Sequence, residues 1–185
     1  MTMWPLTPLI ASFDALKIPF FIGGSVASST HGMMRSTQDL DVVADLREDQ
    51  IAPLAEELGP NFKVNELALR DAVRRCGLAH VYFIPEFTRI DLYVAERSPF
   101  NDSQMRRRVR VKFIETKVPV SSAEDTILKK LEWYRKGNEA SERHWEDVLG
   151  VIRVQGSRLD RKYLRKWAPA LAVMDLLERA LSEGM

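Results

Sequence analysis

Cysteine is nearly missing from this sequence: among 185 residues there is one, Cys76. A lone thiol forms no intrachain disulfide and no cysteine-rich zinc site. Excess charge of one sign is missing too. Lys and Arg total 27 against 26 Asp and Glu, a formal net charge of +1. Affinity for nucleic acid would therefore have to come from a local patch and not from the chain's overall field. Long apolar runs are also lacking. The stretch Ile18–Met34 is broken by Pro19, Gly23, Gly24 and several hydroxyls, and no basic residue precedes Lys17. Neither a bilayer span nor a secretory signal is expected. His31, His80 and His144 are scattered singly and suggest no zinc triad. Neither GxxxxGKS/T nor GxGxxG occurs, which excludes P-loop and Rossmann readings.

With 45% apolar residues, the chain lies outside the low-hydrophobicity, high-charge range of disordered proteins. Its length suits one compact domain, or a small domain with a helical appendage. The expectation is a cytoplasmic globular protein with no membrane association. Two textures divide it near residue 120. Up to that point Pro19–Gly24, Leu40–Leu46, Ala79–Pro85, Ile90–Ala95 and Val109–Val120 are rich in Val, Ile, Phe and Tyr at strand length. Between them Gln50–Leu58 and Glu66–Cys76 read as helices, each stopped at a glycine. Beyond 120 the β signal ends. Ser121 with Glu124 forms a capping box for a helix through Lys136. Ser141 caps the next, with Trp145, Val148, Leu149 and Ile152 on one face. A third helical segment runs from Asp160 to the C-terminus, bent at Pro169. The fold class is thus α+β: a mixed-sheet core over 1–120 and a helical unit over 121–185. Trp133, Tyr134, Trp145 and Trp167, at helical spacings, are expected in the core.

The informative stretch is Phe20–Val43, FFIGGSVASSTHGMMRSTQDLDVV. An apolar strand ends in Gly23-Gly24-Ser25 and small, helix-compatible residues follow. Glycines at a strand-to-helix turn allow close backbone approach to a ligand, and the next helix presents free N–H groups; both suit a phosphate. Further on stands Asp39-Leu40-Asp41. On a strand the two carboxylates share a face, starting about 6.6 Å apart, and such a pair repels unless protonated or bridged by a hard divalent cation. A third carboxylate, Asp91, alternates with Ile90 and Leu92 on a later strand, between Arg89 and Tyr93. Beside Asp41 it would complete a cluster suited to Mg²⁺ and phosphoryl or nucleotidyl transfer; a plain ion pair with Arg89 or Arg110 explains it as well.

These residues resemble the nucleotidyltransferase superfamily, whose pattern is Gly-Gly/Ser, then Asp-x-Asp, then one more Asp on a later strand. The spelling Gly23-Gly24-Ser25, Gly32-x-x-Arg35-x-Thr37-x-Asp39-x-Asp41 is similar to the minimal and AbiEii-type toxin branch in particular. That branch also carries a Lys-Leu in a later helix and an Arg/Asp helix after it, matched here by Lys130-Leu131 and Arg143 with Asp147. The resemblance implies a small mixed-sheet nucleotidyltransferase core with a C-terminal helical unit. It implies NTP phosphates on Gly23, Gly24 and Ser25, with Arg35 and Thr37 also on the substrate. It implies Mg²⁺ or Mn²⁺ on Asp39, Asp41 and Asp91, which are the catalytic carboxylates. Lys130 would contact the triphosphate and Asp147 would complete the site. The partners so implied are an NTP, an acceptor hydroxyl on tRNA, a protein or an antibiotic, and an antitoxin. The alternative is a catalytically degenerate nucleotide-binding or toxin–antitoxin partner module.

Each of these residues also has a structural explanation. Arg143 and Asp147, four apart, can form a surface ion pair. Lys129 and Lys130 can be a solvated helix face. Arg106-Arg107-Arg108 with Arg110 and Lys112 is the one dense basic run, able to hold an RNA backbone or simply to solvate a loop.

Overall fold

The computed structural model describes residues 6–34, 39–113 and 116–184. In chain order the helices are α1 (Leu6–Ala15), α2 (Gly24–His31), α3 (Ile51–Leu58), α4 (Glu66–Arg75), α5 (Pro99–Arg107), α6 (Ala123–Lys136), α7 (Glu142–Gln155), α8 (Arg161–Trp167) and α9 (Met174–Glu183). The strands are β1 (Phe20–Ile22), β2 (Leu40–Ala44), β3 (Phe62–Val64), β4 (Leu78–Phe83), β5 (Thr88–Val94), β6 (Val109–Phe113) and β7 (Thr116–Val120). The architecture is α+β, as the sequence implies.

The chain divides into two compact units. Met1–Gly23 with Thr37–Val120 makes the sheet unit; Gly24–Ser36 with Ser121–Met185 makes the helical unit. A division at residue 120 alone is what sequence texture suggests. The segment that begins at Gly24 goes with the later helices, because α2 packs on α6 and α7.

In the sheet unit the described strands form one mixed sheet in the order β3-β4-β5-β2-β1-β7-β6. Antiparallel β1 and β2 pair Ile22 with Val42, and parallel β2 and β5 pair Val42 with Leu92. Antiparallel β5 and β4 then pair Leu92 with Ala79. Side chains paired in register share a face, so Ile22, Val42, Leu92 and Ala79 form one buried apolar row. Leu40, Ala44, Ile90, Val94, Val81 and Phe83 extend this face, and all are buried. Leu9, Ile10 and Phe13 of α1, Ile51 and Leu54 of α3 and Leu69 of α4 are buried residues of the same unit, and α1–α3, α3–α4 and α4–β4 pack together. Residues that alternate with the apolar rows face the other side. They include Asp41, Asp91 and His80.

In the helical unit α6 and α7 pack on each other and on α2. Trp145, Val148, Leu149 and Ile152 of α7 are buried, as the spacing predicts, together with Ile127, Leu128 and Leu131 of α6. Three details differ from the sequence expectation. The α6 cap is Ser122, not Ser121: its Oγ accepts from Asp125 N and donates to Asp125 Oδ2. Asp125, not Glu124, thus bonds to the cap, through the Ser122 hydroxyl, and the Glu124 carboxylate instead accepts from Asp160 N at the start of α8. Trp133 is 45% exposed with Lys136 Nζ over its ring, whereas its neighbour Tyr134 is buried. The segment after Asp160 is two helices, α8 and α9, separated by a turn that includes Pro169.

Candidate active site

The strand register of the sheet unit builds the first cluster. Asp41 on β2 is the parallel partner of Asp91 on β5, and Asp91 is the antiparallel partner of His80 on β4. Neighbouring strands lie about 4.8 Å apart, so these three form a row across the sheet. Gly23 N donates to Asp41 O at 2.9 Å and places the end of β1 beside the same row. Asp39 stands just before β2. The Leu40–Ile90 pair sets it next to Arg89.

Asp91 is the buried member, its side chain 10% exposed. His80 Nδ1–H donates to its Oδ1 at 2.8 Å, since an ionised carboxylate can only accept. Arg89 Nε lies 2.9 Å from the same oxygen, and Nη2 donates to Asp91 Oδ2 at 3.2 Å. Nη2 also reaches Asp39 Oδ1 at 3.3 Å. Of the two pairings open to Asp91 in the sequence, the structure shows the one with Arg89. Negative charge around it acts on other groups. Asp91 first and Asp39 second hold the Arg89 guanidinium above its ordinary value. Burial, then Asp41 and Asp91, push the Tyr93 hydroxyl up to about 12.

Three carboxylates supply hard oxygen donors, the type that Mg²⁺ and Mn²⁺ prefer. Yet among the described residues no three His, Cys, Asp or Glu side chains are gathered to hold a metal ion. Asp91 is committed to Arg89 and His80. By donor type Asp39 and Asp41 suit a divalent cation, whereas Asp91 is held by Arg89 and His80.

The helical unit carries a second cluster. Lys130 Nζ of α6 donates to Asp147 Oδ2 of α7 at 2.7 Å, with both side chains 9% exposed. Ser28 Oγ of α2 lies 3.3 Å from the same Oδ2, and 3.2 Å from the Gly24 and Ser25 carbonyls. Asp147 therefore pairs with Lys130, seventeen residues away, in preference to the surface pair with Arg143 that helical spacing allows. Close helix approach makes this possible. A Cβ on Gly32 would sit 2.8 Å from Val151 N and 2.9 Å from Gly150 C. Gly24 has φ +52°, a left-handed conformation that favours glycine, just after β1. His31 Nε2 is 2.6 Å from Ser121 O, which holds the ring in a structural contact.

Of the residues singled out in the sequence, Gly23, Asp39, Asp41 and Asp91 come together in the sheet unit. Gly24, Ser25, Lys130 and Asp147 belong to the helical unit. Arg35 and Thr37 lie outside the described residues. Sequence reasoning assigned no role to His80 or Ser28. The first is found through strand register and the second through helix packing, and neither has a local signal.

No family model matches this sequence, and no curated protein matches it. Solved structures do. The solution structure of the antibiotic-resistance factor ANT(2'')-Ia is similar with a TM-score of 0.52 at 12% identity, covering 95% of each chain. The crystal structure of ANT(2'')-Ia with adenylyl-2''-tobramycin gives a TM-score of 0.54 at 13% identity, over 90% of this chain and 94% of that one. The lincomycin-bound lincosamide antibiotic adenylyltransferase LnuA gives 0.52 at 14% identity, over 83% of this chain and 98% of that one. Each likeness runs through most of both chains, and this chain shares the fold of these antibiotic adenylyltransferase structures.

Proposed function

We propose that this chain is a nucleotidyltransferase that moves an NMP from an NTP to an acceptor hydroxyl. One observation carries the reading: Asp41 and Asp91 are partners on adjacent parallel strands, with Asp39 two residues from Asp41 and Gly23 hydrogen-bonded to the Asp41 backbone. Few structural needs explain three acids on one patch of a sheet, whereas nucleotidyl transfer uses them. The fold shared with adenylyltransferases supports the same reading.

In this mechanism the acceptor oxygen attacks the α-phosphorus and the bond from that phosphorus to the bridging oxygen breaks, releasing pyrophosphate. The acceptor proton passes to a carboxylate of the Asp39, Asp41 and Asp91 cluster. Asp39 and Asp41 would hold Mg²⁺ or Mn²⁺, which supplies charge neutralisation and orientation at the phosphates. Gly23, Gly24 and Ser25 receive the phosphates through backbone and hydroxyl donors. Within the helical unit, Lys130 offers a point charge of the kind a phosphate takes, and Asp147 Oδ2 holds its ammonium at 2.7 Å. The acceptor is a hydroxyl on RNA, on a protein or on a small molecule; the antibiotic substrates of the neighbours make the last a direct candidate. A toxin-like role with an antitoxin partner belongs to the same proposal.

A second reading has its own support. Arg89 bridges Asp39 and Asp91, as it would in a nucleotide-binding module that has lost catalysis. Label transfer separates the two. Purified protein is incubated with each α-labelled NTP, Mg²⁺ or Mn²⁺, and cell RNA, protein or candidate antibiotics, beside Asp39→Asn/Asp41→Asn. Label on an acceptor that disappears in the variant supports transfer. NTP binding without label in any arm supports the module, and equal labelling by the variant refutes the carboxylate mechanism.

A further inference from the structure

Arg89 is the least expected member of the carboxylate cluster. Its guanidinium makes two bonds to Asp91, through Nε at 2.9 Å and Nη2 at 3.2 Å, and the same Nη2 lies 3.3 Å from Asp39. One cation thus spans two of the three acids proposed to serve the metal. Resting on the nucleotidyltransferase reading, we infer that Arg89 is a resident counter-ion that competes with the divalent cation for Asp39 and Asp91 and sets how tightly the metal binds.

The chemistry follows from what a guanidinium is. It stays protonated throughout the accessible pH range, so it cannot leave the carboxylates by losing a proton. It can leave only by rotating away. The side chain is 45% exposed and stands at the start of β5, near the β4–β5 turn, so solvent can receive it. While in place it removes the like-charge repulsion among Asp39, Asp41 and Asp91 that would otherwise strain the metal-free sheet. A divalent ion must displace that charge or bind against it, and both lower its affinity. His80 completes the hold by donating to Asp91 Oδ1 from the opposite strand at 2.8 Å. Around Arg89 the ionisable groups include Asp39, Asp91, His80, Tyr93 on its own strand, and Tyr82, its partner across β4. Arg89 is a positioning residue here: it acts on the metal through the two carboxylates.

The test is a binding measurement and requires no turnover. Mn²⁺ binding to the full chain is read by electron paramagnetic resonance of free Mn²⁺, with and without a non-hydrolysable NTP analogue. Arg89→Gln removes the charge and is expected to bind Mn²⁺ at least tenfold more tightly than the parent. Arg89→Lys keeps the charge but loses the two-point fork, and falls between them. Thermal melting gives a second readout. Arg89→Gln melts lower than the parent without metal and gains more from saturating Mg²⁺, because a ligand stabilises the folded state according to its affinity. Equal or weaker Mn²⁺ binding by both variants, with the parent binding, overturns the counter-ion role and leaves the nucleotidyltransferase reading standing. Absence of Mn²⁺ binding in parent and variants alike, with or without the analogue, overturns both.

Discussion

Replacing Lys130 by methionine keeps the volume of a long side chain and deletes its charge. The consequence is set by what remains around Asp147. Its Oδ2 now receives the Lys130 ammonium at 2.7 Å, and the two side chains are each 9% exposed. The Ser28 hydroxyl donates to the same oxygen at 3.3 Å but is neutral, so it offsets only part of the lost ammonium. Removing one partner of a buried ion pair costs about 3–5 kcal/mol, since the other charge is left in a poor solvent. The contact with Ser28 puts the expectation for Lys130→Met near the lower end, about 3 kcal/mol. In a chain of this size each kcal/mol moves the melting temperature by about 2–4 °C, so a fall of about 6–12 °C is expected. The double variant Lys130→Met/Asp147→Leu removes both charges and should recover about 2 kcal/mol relative to the single one, because a buried pair is worth little more than apolar residues of similar volume. Urea denaturation of parent, both singles and the double gives the four corners of the cycle. A Lys130→Met cost below about 1 kcal/mol, or a double variant no more stable than the singles, would refute the reasoning.

Gly32→Ala places a methyl group 2.8 Å from Val151 N; backbone cannot yield cheaply, so a loss of about 2–3 kcal/mol is expected in urea denaturation. A cost under 0.5 kcal/mol, on the scale of ordinary surface changes, would show that the α2–α7 approach is loose. Asp41→Asn takes away one of the charges that hold Tyr93 up, so its ionisation, read by ultraviolet titration against Tyr93→Phe, moves down from about 12 toward the ordinary tyrosine range. An unmoved titration would separate Tyr93 from Asp41. Glu132 on α6 is disfavoured by burial, yet hydrogen bonds from Lys129 and Lys136 outweigh this and hold its carboxyl below the ordinary value. A depressed folded value gives stability that is present above the unfolded value and lost as pH falls through the folded one. Glu132→Gln should therefore be less stable than the parent at pH 7, with the gap narrowing as pH falls below the ordinary glutamate value of about 4.3; a gap that does not narrow with falling pH contradicts this.

Local chemistry made much of this protein legible in its sequence. Period-two alternation in Asp39–Val43 and Arg89–Val94 placed the acids on one face and the aliphatic residues on the other, because backbone geometry alone dictates which side chains share a side. A capping serine and a 3.6-residue apolar period marked α7 for the same reason, while the α6 cap was read one residue early, at Ser121. Signals of this type fail where elements are short or lean on neighbours. β3 has three residues and α1 carries a weak stripe, and packing in the sheet unit decides them. β6 and β7 read as one strand over Val109–Val120, though they are the two arms of an antiparallel hairpin.

Tertiary structure alone decided the partners. Asp91 meets Arg89 two residues away on its own strand, but whether it would also meet His80 and lie beside Asp41 depended on the order β4-β5-β2. Asp147 could have paired with Arg143 one turn away; α6 and α7 came close enough to give it Lys130. Helix α2 follows β1 in sequence and yet belongs with α6 and α7, because its small residues and Gly32 permit a backbone approach that no local preference encodes. Sequence determines which residues can share a face, since that depends on dihedral angles a few residues long. Which faces meet, and so which charges find each other, is settled when long-range burial selects one register from many.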